Sequence, residues 1–325
     1  MSAPQQTTDL ALLAGGAVLV PDAGRELAIA TGADRVRFLH GIVTADVAGT
    51  AAGAGCRSAL LTPKGQVVAD MWLFVRTDAI WIVVDAGQAA IVAPALARYA
   101  IMDDFAAIPA PDFALAPVLG PAAAERLKEI GVDAGALSSA PAPAHVDVSF
   151  GDGTLFVARV RELGADGFWL GGPRALVADA RTRLAAAGVP ELTPAAAEAA
   201  RIAAVEPRFG AEITSDYFPM EVGLDGAIDY RKGCYLGQEP IVRIRDRGHT
   251  NWRLVGLDVT GAGDPAPGDR LESDAKLKAG KVTSAARLPD GRAVALAMLH
   301  VSVPAGATVR IRRGDDTTIE ARVRD

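Results

Sequence analysis

The stretch SALLTPKGQVVADMWLFVRTDAIWIVVD, residues 58–85, decides the fold class. Ser58–Leu61 and Val67–Val75 are apolar, strand-like runs on either side of Thr62-Pro63-Lys64-Gly65. Proline and glycine at those offsets mark a turn, so the pair reads as a hairpin. Ala79–Asp85 reads as its neighbour, and Gln88–Tyr99 as a helix started or interrupted by Pro94. Three strands followed by a helix predict antiparallel α+β packing and disfavour a parallel β/α/β sheet.

Working outward, Arg25–Ala30 reads as a strand, and Gly32-Ala33-Asp34 leads into a helix over Arg35–His40 with Asp34 as N-cap. Two proline-rich, weakly charged stretches, Ile108–Pro117 and Ser138–Pro143, read as linkers. Helices are expected over Ala122–Ile130, Ala175–Ala187 and Pro194–Val205, and strands near Thr154–Arg161 and Gly167–Leu170. Glu206–Gln238 has no clear period. From Trp252 onward short alternating segments (Arg253–Val259, Lys281–Arg287, Ala293–Leu299, Thr308–Ile311, Thr318–Val323) are separated by Gly, Pro and Asp turns. That pattern predicts a small barrel or jelly roll. The division is therefore a body over 1–250 and a β-module over 251–325.

The 325 residues are 50% hydrophobic and 22% charged with a net charge of −6, which excludes a disordered chain and gives room for two or three domains. The acidic balance argues against a protein that coats nucleic acid, and no direct nucleic-acid partner is expected. Cys56 and Cys234 are too few for a disulfide framework, so a reducing cytoplasm is expected. His40, His145, His249 and His300 are scattered, with no zinc-ligand spacing and no metal site expected. Leu10–Val20 has the length of a signal-peptide core, but Asp9 stands at its start and no basic residue precedes it. A short helix, a Gly15-Gly16 turn and a buried strand account for it better than a targeting or membrane segment.

The densest reactive cluster is RKGCYLGQEPIVRIRDRGHTNWR, residues 231–253. Arg231 and Lys232 precede Cys234, and Arg243, Arg245, Arg247, His249 and Arg253 follow it. Flanking cations favour a thiolate, while Gly233 and Gly237 leave the sulfur reachable or let backbone approach a ligand. The competing reading makes Cys234 a buried packing residue and the arginines a solvated strand face.

Lys232-Gly233-Cys234-Tyr235-Leu236-Gly237-Gln238-Glu239 resembles the KGCYxGQE signature of the YgfZ group of folate-binding proteins. These are relatives of the glycine-cleavage T protein, an aminomethyltransferase, and of iron–sulfur assembly factors. The resemblance extends to Pro219–Leu224, to Phe38–Gly41 with Thr44–Val47, to Ala59–Val67 and to Gly280–Ser284, so it covers nearly the whole chain. It implies a three-part, ring-like α+β body around a folate cavity, closed by a C-terminal antiparallel β-barrel. The cofactor implied is tetrahydrofolate or a derivative.

The departures shape the functional expectation. Where aminomethyltransferases carry paired aspartates, this chain offers only Asp70. Where the T protein has an Arg-Leu-Glu segment whose glutamate holds the pterin, this chain reads Arg201-Ile202-Ala203, leaving Glu206 as the substitute. The resemblance implies a folate-binding accessory factor for iron–sulfur cluster assembly or repair, acting on client or assembly proteins, with Cys234 as reactive thiol activated by Lys232 and Arg231. Any effect on tRNA modification would run through iron–sulfur enzymes. The alternative is a folate-dependent aminomethyltransferase or demethylase using Asp70. Asp70 and Glu221 are the expected pterin acceptors, in a pocket lined by Val67–Leu73 and Glu221–Gly223. Arg243 is the expected tail partner, with Lys232, Tyr235, Gln238 and Glu239 also near the ligand. Cys56 reads as a packing residue, Trp72 and Trp81 as core or cavity wall, and Lys64 and Arg98 as solvated surface.

Overall fold

The computed structural model describes residues 10–22 and 24–324. A helix α1 over residues 10–15, which takes in Gly15 of the expected turn, leads through Gly16 into the buried strand β1 (Val18–Leu19), the short helix and strand that the sequence predicts. The first sheet comprises β2 (Glu26–Thr31), β3 (Gly55–Leu61), β4 (Val67–Val75), β5 (Ile80–Val84) and β6 (Ala106–Pro109), in the order β3-β4-β5-β2-β6. Every pairing in it is antiparallel. Helices α2 (Arg35–Ile42) and α3 (Ala89–Ala97) contribute to the core on one face. Pro94 lies inside α3, so it neither starts nor breaks the helix.

Asp34 is not a side-chain cap. Its carboxylate accepts from Arg37 and from the backbone N–H of Asp104, tying α2 to the loop before β6.

The second sheet joins β1 to β7 (Phe113–Leu119), β8 (Ala144–Phe150), β9 (Gly153–Glu162) and β10 (Ala165–Pro173) in the order β1-β7-β10-β9-β8. The supposed linker Ile108–Pro117 is overturned, because it holds the end of β6 and most of the fully buried β7. Pro117 is tolerated there because its missing N–H faces β1. Val20 N donates to the Pro117 carbonyl, and the Val20 carbonyl takes Arg181 Nη1 instead of a strand donor. Helices α4 (Ala123–Glu129) and α5 (Arg174–Ala186) cover one face of this sheet. The two sheets share a core of Phe74, Val83, Phe113, Phe156 and Trp169.

Helix α6 (Pro194–Ala203) starts at Thr193, whose hydroxyl accepts from Ala196 N. The chain then runs through two short 3-10 turns to a helix α7 (Gln238–Arg247), so the arginines after Cys234 stand on a helix rather than a strand face.

The C-terminal part is a closed antiparallel barrel of β11 (Trp252–Val259), β12 (Arg270–Ser273), β13 (Lys276–Arg287), β14 (Ala293–His300), β15 (Thr308–Arg312) and β16 (Thr318–Val323). In β16 exposed and buried residues alternate strictly, the period-two pattern of a half-buried strand. Ile202 of α6 packs on Val294 and Leu296, fastening the barrel to the body. No described helix is long and apolar enough to cross a membrane.

Candidate functional site

Period two along β4 buries Ala69, Met71 and Leu73 and turns Asp70 and Trp72 to the opposite face. There they meet a cavity of about 680 Å³ where the two sheets and the α6 segment converge. Trp72 meets Trp169 edge to face, with ring centroids 5.4 Å apart. Arg25 sits 4.6 Å over the Trp169 ring and forks onto Glu162 at 3.1 and 2.6 Å, and Glu162 also accepts from Trp169 Nε1 at 2.7 Å.

Asp70 lines this cavity, as expected, but both of its oxygens are taken. Arg57 Nε donates at 3.0 Å and Nη2 at 2.5 Å, a bidentate pair. Glu206 lines the same cavity and also has both oxygens engaged, by neutral backbone N–H groups rather than by a guanidinium. Its two oxygens accept from Leu163 N and Gly164 N at 2.8 Å each, and burial pushes its carboxyl up against the pull of those donors. Val205 and Leu163, on either side of this contact, both have positive φ (57° and 53°). A β-branched residue in the left-handed region is strained, and here the strain sets Glu206 under the β9–β10 turn. Arg201 is immobilised by Glu198, Glu212, Ser284 and the Glu206 carbonyl. Arg161 and Arg208 stand at the rim, largely exposed.

A second cavity of about 730 Å³ shares Arg57 and Trp72 with the first and is walled by Cys56, Asp46, Thr50 and the 226–231 loop. Cys56 is half-buried there, and burial pushes its thiol up to about 11, which fits a packing residue. Trp81 belongs to the core between the sheets, and Lys64 and Arg98 are solvated, as read from the sequence.

Several expected site residues stand elsewhere. Glu221 is buried away from both cavities, and its carboxylate accepts from Phe218 N, Asn251 N and Trp252 N. It holds the entry to the barrel, because a buried carboxylate needs donors and the backbone supplies three. Arg243 and Glu239 pair across one turn of α7, 70% and 83% exposed, and neither they nor Gln238 line either cavity.

Lys232 points inward, and its ammonium donates to the carbonyls of His40, Val43 and Ala45 at the end of α2. Burial brings it down to about 8, with Asp46 and Asp229 pulling it back up. Its nearby thiol is Cys56, so the expected activation of Cys234 by Lys232 has no geometric basis. Tyr235 is buried in the cluster beneath β3 and β4, and Gly237 abuts the Thr62–Gly65 turn. Cys234 is exposed and lines neither cavity.

Arg25, Arg57, Glu162 and Trp169 went unread in the sequence. The Arg25–Glu162 partners lie 137 positions apart, and no local pattern signals such a pair. Among the described residues no group of three His, Cys, Asp or Glu could hold a metal ion.

The GCVT N-terminal domain model matches residues 25–232. The chain belongs to that family. It is 29% identical over 294 residues to the tRNA-modifying protein YgfZ of Yersinia pseudotuberculosis, across 87% of this chain and 84% of that one. A YgfZ of Yersinia pestis matches to the same extent. The chloroplastic protein At1g60990 of Arabidopsis thaliana is 29% identical over 258 residues, and the match spans 78% of this chain but only 58% of that relative. The glycine cleavage system aminomethyltransferase T of Bartonella henselae superposes with a TM-score of 0.87 over 98% of this chain and 88% of that one, at 21% identity. The fold of this YgfZ/GcvT-like chain is therefore the one the resemblance implied.

Proposed function

We propose that this chain binds a reduced folate in the central cavity and serves as a YgfZ-type accessory factor for iron–sulfur proteins, with Cys234 as its reactive group. The observation that carries the folate reading is the cavity walled by Trp72, Trp169 and Glu206. Its volume lies within the ~300–1,000 Å³ usual for small-ligand sites. The half-buried Trp72 indole, backed by Trp169, gives a flat heterocycle an apolar wall, and Glu206 offers an acceptor to pterin N–H groups. The latter would otherwise be buried unpaired. Arg161 and Arg208 at the rim suit an anionic tail, a role that Arg243 is too remote to fill. Bound folate would supply one-carbon carrier chemistry, while the chain's residues bind it, orient it and exclude water.

The aminomethyltransferase alternative is disfavoured because Asp70 is held by Arg57 on both oxygens. The iron–sulfur part of the reading rests on the likeness to YgfZ and on the exposure of Cys234. The relatives' tRNA-modifying role then follows through iron–sulfur client enzymes, in a reducing compartment such as the cytoplasm.

The test is a tetrahydrofolate titration followed by tryptophan fluorescence, beside an assay for methylene-tetrahydrofolate formation from an aminomethylated carrier. Saturable binding without turnover is expected. Glu206→Gln should weaken binding by roughly ten- to hundredfold, as loss of a charged hydrogen bond does. Absence of binding would sink the folate reading, and turnover would restore the transferase.

A further inference from the structure

We propose that the outer face of α7, together with Arg231, is a docking surface for an acidic segment of a partner protein. Helix α7 and Arg231 present four arginines, Arg231, Arg243, Arg245 and Arg247, against Glu239 and Asp246, in a chain whose net charge is −6. Helix α7 fully buries only Ile241, so most of its surface faces solvent. Arg245 reaches back to the Tyr230 carbonyl at 3.2 Å and lies over the Tyr230 ring, which brings the C-terminal end of α7 beside Arg231.

The cations on this face are weakly committed. Arg243 pairs with Glu239 and Arg245 with Asp246, but all four are exposed, and such pairs contribute only a few tenths of a kcal/mol each. The guanidinium groups of Arg231 and Arg247 have no acceptor among the described residues. Two guanidinium groups without acceptors, beside two exposed and weakly held pairs, give this face of a net-acidic protein a field complementary to an acidic chain.

A protein partner fits better than RNA. Glu239 and Asp246 interrupt the strip, the whole chain repels a polyanion, and the local aromatics offer no stacking platform. Tyr235 is buried, and the Tyr230 hydroxyl is bound to Asp225. Cys234, exposed on the loop leading into α7, is where such a segment would bring its own sulfur.

This inference rests on Cys234 being accessible and reactive, and the experiment separates the two. In a Cys56→Ser background (Cys56→Ala if serine unsettles the fold), N-ethylmaleimide labelling first reports the reactivity of Cys234. Slow labelling defeats the thiol reading. The protein is then mixed with peptides bearing one cysteine as a mixed disulfide with thionitrobenzoate, flanked by four Glu, four Gln or four Lys. The Cys234 thiolate attacks the peptide sulfur, a new disulfide forms, and thionitrobenzoate leaves and is read by absorbance. The acidic peptide should react about tenfold faster than the lysine peptide at low salt, converging near 0.5 M salt. Arg231→Ser with Arg247→Ser should erase most of that ratio while N-ethylmaleimide labelling stays within about twofold. Equal rates for the three peptides, or an unchanged ratio in the double variant, would overturn the proposal. So would stronger protection of Cys234 by a single-stranded RNA oligonucleotide than by a thiol-free glutamate peptide.

Discussion

Gly233 and Gly237 flank the same cysteine, yet the structure gives them opposite jobs, and exchanging each for alanine tests that reading. Gly237 has φ +78°, and a Cβ there would stand 2.3 Å from the Thr62 carbonyl oxygen and 3.3 Å from Gly65 Cα. The left-handed conformation costs a non-glycine residue ~1–2 kcal/mol. The overlap is with backbone, so the hairpin turn itself must move, and overpacking of this kind costs ~1–3 kcal/mol. The smaller entropy of unfolded alanine returns ~0.4–1 kcal/mol. The net expectation is a loss of about 2–4 kcal/mol for Gly237→Ala. At Gly233 no atom lies within 4 Å of an added Cβ and no positive φ is required, so Gly233→Ala should be neutral or stabilise by up to ~1 kcal/mol. Urea unfolding followed by far-UV circular dichroism measures both, with an unchanged slope as the control that the comparison is one of stability. A Gly237→Ala midpoint equivalent to less than 0.5 kcal/mol of change, or equal damage at Gly233, would refute the assignment of Gly237 to packing.

Three further outcomes are expected. His145 is held between Phe74 and Phe156, and burial lowers it to about 4, so the unfolded chain binds more protons between pH 4 and 6.5. Stability should fall as pH drops through that window by about 2 kcal/mol after solvent screening, and His145→Gln should flatten the acid limb of a Tm-against-pH profile. Maleimide should label Cys234 well before Cys56 at neutral pH, since one is exposed and the other is half-buried with a raised thiol; mass-mapped labelling in the reverse order would count against both placements. Lys232→Met keeps an unbranched chain one atom shorter but leaves the His40, Val43 and Ala45 carbonyls without their shared donor, so a loss of ~1–3 kcal/mol is expected in the same urea assay.

The sequence was most legible where period and punctuation agree. Val67–Val75 was bounded correctly because an apolar run starts just past a glycine turn and stops at the polar Arg76-Thr77-Asp78, and Thr318–Val323 because its alternation is strict from end to end. It misled where a residue's usual preference was overridden by context. Prolines made Ile108–Pro117 look like a linker, whereas Pro117 faces a strand with no donor demand on that side. Four residues, Arg270–Ser273, were too few and too polar to register as a strand. At the site, Asp70 was named through the family resemblance, Trp72 was read as core or cavity wall, and Glu206 was noticed only as a substitute. Glu221 was misassigned because nothing in a sequence tells a carboxylate that serves a ligand from one satisfied by backbone N–H groups.

The signature loop shows why a specific motif need not be a specific catalytic site. Lys232 is spent on the end of α2, Tyr235 and Leu236 on two hydrophobic clusters, and Gly237 on the Thr62–Gly65 turn. Each of these restricts what can stand at its position, and together they leave Cys234 as the group turned outward. The turn that Gly237 touches joins β3 to β4, and those strands carry Arg57, Asp70 and Trp72 into the cavity wall. Thiol loop and cavity wall are therefore both set by one hairpin, the loop through its turn and the wall through its strands.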